Sequence, residues 1–318
     1  MRRILSLGGG GIKGAATAAY LAHLEEASGR PIAACFDLIA GTSTGGILAI
    51  ALALGVPAEK LVTFYREQGP KIFPVDRHDR WHSTLRHLMR VKYSAGALRD
   101  AIAKTIGDDT LGQARTRLVI PSVQPGRAQM YLFKTRHHPL FKRDHKLAAL
   151  DVALATSAAS SYLPQHVIDG VGPFVDGGLW ANNPVGLAVA EAVSYLDWKP
   201  EELHVLSIEC PQEAQTIPGG SARQWLFGPS ALNRLGALQS SSAKGTALAL
   251  MRDVGRLPAP ERFFEALPAH FPKNYFSLDR IGQIDALIGI GNDEARKQAN
   301  FICSRFLSTR ADPFLPFT

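Results

Sequence analysis

Cysteine is scarce in this chain of 318 residues: Cys35, Cys210 and Cys303 lie far apart, with no Cys-x-x-Cys pair. That excludes a disulfide framework and a zinc ribbon, and fits a reducing compartment. Long apolar runs are missing too. The longest, Ile47 to Leu54, falls well short of the roughly 20 residues that cross a bilayer, and reads as a buried helix. The opening MRRILSLGGGG starts like a secretory leader with its two arginines, but four glycines and Lys13 interrupt any apolar stretch. A cytoplasmic protein is expected. Charged residues make up 20% and hydrophobic ones 46%, which excludes wholesale disorder. The formal net charge of +7 is compatible with an anionic partner without specifying one. RNA-binding signatures, zinc modules and a helix-turn-helix pattern are all lacking, so a nucleic-acid partner is not expected. His137 and His138 are adjacent, point different ways and have no acidic cluster beside them; no metal site is expected.

What is present is a repeated unit. Ile4 to Leu7 is an apolar run entering glycines, followed by helical spacing over Gly14 to Glu26. Phe36 to Ala40 runs into GTSTGG and the apolar helix from Ile47. Two strand–glycine turn–helix units predict a parallel sheet covered by helices. Further strands are expected at Arg117 to Val123, Gln129 to Phe133, Pro173 to Val175 and Leu203 to Glu209, with helices over Leu147 to Ala159 and Val185 to Tyr195. Residues 57 to 110 read as mainly helical and basic. Pro211 to Gly220 is the best candidate boundary, with helical segments expected at 221 to 253 and 283 to 307.

Three glycine turns carry chemistry. Gly41-Thr42-Ser43-Thr44-Gly45 matches Gly-x-Ser-x-Gly between a strand and a helix, the context in which a serine is lifted clear of the sheet. The helix after Gly45 directs N–H groups toward Ser43. Gly9-Gly10-Gly11-Ile12-Lys13-Gly14 has the spacing of a dinucleotide fingerprint. The second strand ends without the ribose-binding acid, however, and Asp37 comes too early. An oxyanion hole is the competing reading, since consecutive glycines turn backbone N–H groups toward one point. Phe174-Val175-Asp176-Gly177-Gly178 places a carboxylate at a strand end, able to take a proton from a hydroxyl. The order serine, acid, histidine is satisfied formally by Asp176 with His204 or His270, but neither histidine sits in an evident catalytic turn.

In combination, GGGGIKG (8–14), GTSTGG (41–46), LATSAAS (154–160) and DGGLWANNP (176–184) resemble the patatin-like phospholipase family, in the family's order. The resemblance implies a three-layer α/β/α fold with a mainly parallel central sheet. It spans residues 1–210 as catalytic domain, with a mainly helical C-terminal part, 211–318, packed on it as a lid, regulatory or oligomer surface. It implies a serine–aspartate dyad without histidine: Ser43 as nucleophile, Asp176 as base, and Gly9, Gly10 and Gly11 as oxyanion loop. Lys13, Gly14, Gly41, Gly45, Gly177 and Gly178 support these motifs. The family's usual loop has aspartate and arginine where Gly8 and Lys13 stand here. FKTRHHPLFKRD (133–144) with the later motifs is similar to the bacterial patatin phospholipases of CBASS antiphage systems. That implies membrane phospholipid substrates, peripheral action on the inner membrane, and no catalytic cofactor. It also implies an activating cyclic dinucleotide, such as cGAMP, from a cognate nucleotidyltransferase. A non-regulated esterase, an acyltransferase and a catalytically silent nucleotide-binding module stay open as alternatives. Basic stretches at 71–99 and 134–146 are read either as surfaces for anionic lipid or activator, or as solvated helix faces.

Overall fold

The computed structural model describes residues 1–72, 95–159, 163–213, 231–252, 261–267, 270–271 and 283–317. The chain opens with β1 (Arg2–Leu7), the glycine loop and α1 (Gly14–Ser28). The fully buried β2 (Leu38–Gly41) then leads into α2 (Thr44–Ala53). Every residue of α2 is buried; a helix apolar all round has no face for water, so it lies inside. It begins at Thr44, three residues before the apolar run. Next come α3 (Ala58–Ile72), α4 (Ala95–Ile106), β3 (Arg117–Gln124), β4 (Gln129–Lys134) and α5 (Ala149–Ser157). β5 (His166–Ile168) and β6 (Gly172–Asp176) form a hairpin, followed by the short α6 (Gly178–Ala181), α7 (Val185–Ser194) and β7 (Leu203–Ile208). The remainder holds β8 (Gln212–Glu213), α8 (Ala231–Leu250), β9 (Phe263–Ala266), β10 (His270–Phe271) and α9 (Ile284–Phe306).

The main sheet runs β5-β6-β3-β2-β1-β7-β9, with β4 also on β3. β3, β2, β1, β7 and β9 are mutually parallel; β4 and β6 are antiparallel to β3. Helices cover both faces. One core is built from α1 to α5 against residues such as Leu5, Ile39 and Ile120; the other packs Val185, Ala188 and Val189 of α7 on Ile4, Ala40 and Val119. This is the α/β architecture expected from the repeated strand–turn–helix units.

The register around β3 positions the site. β4 pairs with residues 119 to 124 along one edge of β3. β2, at Val119, and β6, at Ser122, must therefore both use the other edge. β2 runs parallel to β3 and β6 antiparallel, so the two run toward each other and their C-terminal ends meet beside residues 119 to 122.

The C-terminal part enters the same sheet: β9 pairs with β7, and α9 lies on α1. There Gly291 meets the Ala16 carbonyl so closely that an added Cβ would lie 2.2 Å from it. Tyr20 Oη donates to Gln298 Oε1 at 2.5 Å. Residues 73–94, most of the first basic stretch, and 214–230, most of the expected boundary, lie outside the described residues. Among the described residues no helix is long and apolar enough to cross a membrane.

Candidate active site

Ser43 sits at the turn from β2 into α2 with φ 54° and ψ −124°, a backbone conformation that costs a non-glycine residue energy and is found where structure enforces it. The flanking glycines enforce it by close approach. A Cβ on Gly41 would lie 2.2 Å from the Gly45 carbonyl oxygen, and one on Gly45 would lie 2.2 Å from that of Leu7. The turn thus clamps against the end of β1 and leaves Ser43 half-buried while its neighbours are buried.

Asp176 ends β6 and reaches the same point. Ser43 Oγ donates to Asp176 Oδ2 at 2.6 Å, and the Gly178 N–H donates to Asp176 Oδ1 at 2.6 Å. Removal from water raises the carboxyl to about 6 from its ordinary 3.8, against the lowering effect of these two hydrogen bonds. The pair therefore joins a hydroxyl to a carboxylate basic enough to take its proton near neutrality.

The glycine loop closes a third side. An added Cβ on Gly9 would lie 3.2 Å from Ser43 Cβ, which places the loop against the nucleophile turn. The Gly9 N–H donates to the Asn182 carbonyl at 2.9 Å, so it is not open to a ligand oxygen. The N–H groups of Gly10 and Gly11 have no acceptor among the described residues. Lys13 and Gly14 follow in the turn that starts α1. Gly14 packs against Tyr65, whose hydroxyl is hydrogen-bonded to Thr44 Oγ1. Gly177 lies against the Pro121 carbonyl, and Gly178 against Asp176 and Asn182.

A family model for patatin-like phospholipase matches residues 5–189. The chain belongs to the patatin-like phospholipase family. A Pseudomonas aeruginosa protein named cGAMP-activated phospholipase is 38% identical over 226 residues, covering 71% of this chain and 67% of its own length. A Vibrio cholerae protein of the same name is 36% identical over 224 residues, covering 65% of this chain and 63% of itself. Patatin-like protein 2 of Arabidopsis thaliana is 36% identical over 217 residues, with 60% of this chain and 52% of that protein covered. The chain thus spans between half and two thirds of the length of these curated relatives. Among solved structures, VipD from Legionella pneumophila has a TM-score of 0.48 at 12% identity, covering 94% of this chain and 66% of that one.

In this member of the family the structure brings Ser43, Asp176 and the glycine loop together and leaves His204 outside. His204 pairs with Arg3 at the start of β7, the opposite end of the strands from Ser43, and its ring contacts Arg305 and the Glu261 carbonyl. The side chain of His270 lies outside the described residues. Asp37, weighed for a ribose, bonds Arg2 and the Arg3 N–H at the far end of the sheet. His137 is committed to Glu191 and Thr135, and no group that could hold a metal ion occurs among the described residues. Lys134, counted with the basic stretch, is buried: its Nζ lies 2.6 Å from Glu191 and over the adjoining Phe141 and Tyr195 rings.

Sequence reasoning missed the residues that join the loops. Thr156 Oγ1 accepts the Ser43 N–H at 3.1 Å and donates to the Pro121 carbonyl at 2.6 Å, tying α5 to the nucleophile turn and to β3. Thr42 Oγ1 donates to the Ala181 carbonyl at 2.6 Å. Asn182 donates back to the Gly9 carbonyl at 3.3 Å, so loop and α6 are clamped in both directions. Asn183 accepts from Ser6 and donates to Glu209. Their motifs were visible in the sequence, but the partners come from distant strands and leave no local signal.

Proposed function

We infer that this chain is a lipid acyl hydrolase in which Ser43 and Asp176 act as a dyad. The observation that carries the reading is the 2.6 Å hydrogen bond from Ser43 Oγ to Asp176 Oδ2 at the mouth of a parallel sheet. Asp176 takes the Ser43 proton as Oγ attacks the carbonyl carbon of a fatty-acyl ester of a membrane phospholipid. The carbonyl becomes a tetrahedral oxyanion, held by the N–H groups of Gly10 and Gly11 and by the N-terminus of α2. Gly9 serves this cradle by its lack of a side chain, its N–H being given to Asn182. The oxyanion collapses, the C–O bond to the alcohol breaks, and Asp176 returns the proton to the leaving oxygen. Water, deprotonated by Asp176, then attacks the acyl carbon and releases fatty acid and free Ser43. No cofactor enters these steps.

We propose regulation as well: the relatives' name, cGAMP-activated phospholipase, supports a cyclic dinucleotide such as cGAMP as the activator, and the resemblance to the CBASS phospholipases supports a partner nucleotidyltransferase as its source and hydrolysis at the inner membrane in an antiphage response. The test is hydrolysis of fluorogenic acyl esters and phospholipid vesicles with and without a panel of cyclic dinucleotides. Ser43→Ala and Asp176→Asn are each expected to abolish it; wild-type rates in both overturn the dyad. A rate and an assembly size unmoved by every nucleotide overturn the switch and leave the hydrolase standing.

A further inference from the structure

The helices do not cover the whole sheet. β-strand side chains alternate between faces, so the pairings fix which residues share one. Val123 pairs with Met130 on one side and Val175 on the other, and Pro173 pairs with Val167. Met130, Val123, Val175, Pro173 and Val167 therefore form one strip across β4, β3, β6 and β5. It is the face that α7 covers lower down, at Val119. Here, among the described residues, its two ends lie open: Met130 is 65% exposed and Val167 55%. Leu179 and Leu238 are exposed at the neighbouring junction of α6 and α8, where Gln239 Nε2 donates to the Leu179 carbonyl.

The strip reaches the site at the end of β6. Val175 precedes Asp176 in β6, with its side chain on one face of the sheet and the carboxylate on the other. Each of the two flanking turns carries one exposed charge, Arg127 in the β3–β4 turn and Asp169 in the β5–β6 turn, of opposite sign, so the strip with its turns is neutral and apolar. Val175 itself is buried, and half-buried Val123 and Pro173 join the exposed ends at Met130 and Val167 into one apolar face; singly scattered exposed apolar residues need no explanation, whereas such a face marks a contact. The nearest site acts, on the reading above, on an ester anchored in a bilayer, and a surface next to Asp176 has to meet that bilayer for the ester to be reached. We propose that this strip is the lipid-docking face of the protein, inserting Met130 and Val167 among acyl chains beside the site. The inference rests on the hydrolase reading for its choice of occupant. Because the strip is neutral, docking through it survives high salt and needs no anionic lipid.

The test is flotation with phosphatidylcholine vesicles in high salt, run beside hydrolysis of a short-chain, monomeric ester. The double variant Met130→Glu/Val167→Glu is expected to lose vesicle binding by about tenfold or more, since each glutamate removes a buried apolar contact, with the monomeric ester cleaved at the parent rate. Leu140→Glu, which alters a residue 72% exposed in the loop that follows β4, is expected to change neither. Vesicle binding kept by the double variant overturns the proposal. So does equal loss in Leu140→Glu, which reads as a general charge effect. A larger assembly reduced to a smaller one with vesicle binding intact also overturns it, and makes the strip a contact between copies. Should the double variant fail to fold, Met130→Cys carrying a polarity-sensitive dye is expected to shift to the blue on addition of vesicles, and no shift counts against docking. Strip-dependent binding without any ester hydrolysis by the parent sustains the docking face and removes the dyad.

Discussion

Two influences oppose each other at Asp176. Hydrogen bonds from Ser43 and Gly178 favour the anion, and burial disfavours it; burial wins, leaving the carboxyl at about 6. A base that must be ionised to work gives an acid limb: kcat/KM on an uncharged ester is expected to fall about tenfold for each pH unit below about 6, read from a pH–rate profile. Stability runs the other way. The native carboxyl binds its proton more tightly than the unfolded one, so its contribution is most favourable below pH 3.8 and is lost as pH rises through about 6. The cost above that is about 3 kcal/mol at about 1.4 kcal/mol per pH unit. Asp176→Asn carries no charge to bury. It is therefore expected to melt higher than the parent at pH 8 and to lose that advantage at pH 4, by calorimetry at the two values, while Ser43→Ala leaves this pH dependence in place.

At the scale of elements, the site is a set of turns that fit only without side chains. Gly45→Ala drives a Cβ to 2.2 Å from the Leu7 carbonyl, and a loss of about 1–3 kcal/mol in chemical denaturation is expected. Thr156→Val keeps the shape and removes both hydrogen bonds that hold α5 to the nucleophile turn. Its buried partners are left unsatisfied, so a similar loss is expected, together with a lowered kcat. Most of these elements were legible, because apolar runs entering glycine turns are local signals: β1, β2, α1 and the run within α2 fall where the pattern puts them. β5 and β9 were not. Three and four residues are too few for a period to register, and β9 is a strand only because the edge of β7 receives it. Ser43 and Asp176 were readable as residue types at strand ends, whereas Thr156 and Asn182 matter through contacts far along the chain, which no spacing records.

Across the whole molecule, remote segments finish what the first half begins. Removing residues 211 to 318 strips β9 from the sheet and α9 from α1. An open strand edge and a bare helix face then meet water, so aggregation on expression is expected, read by size-exclusion chromatography. Away from the site, Glu191 joins the end of β4 to α7 by accepting from buried Lys134 and bonding His137, whose ring burial holds below the usual imidazole range. Glu191→Gln leaves the Lys134 ammonium without its counter-charge, and a loss of about 3–5 kcal/mol is expected, measured in urea, with the rate on a monomeric ester unchanged in the folded fraction. β3, finally, is the common rail for two strands that do not pair with each other. The smallest slip that keeps every side chain on its own face is two residues, which displaces a strand by about 7 Å. Either slip would leave a well-paired, soluble sheet with its hydroxyl stranded from its carboxylate. Turnover in this molecule is therefore a gauge of strand alignment: a misthreaded population that passes every spectroscopic check for folded protein would still be counted as dead enzyme.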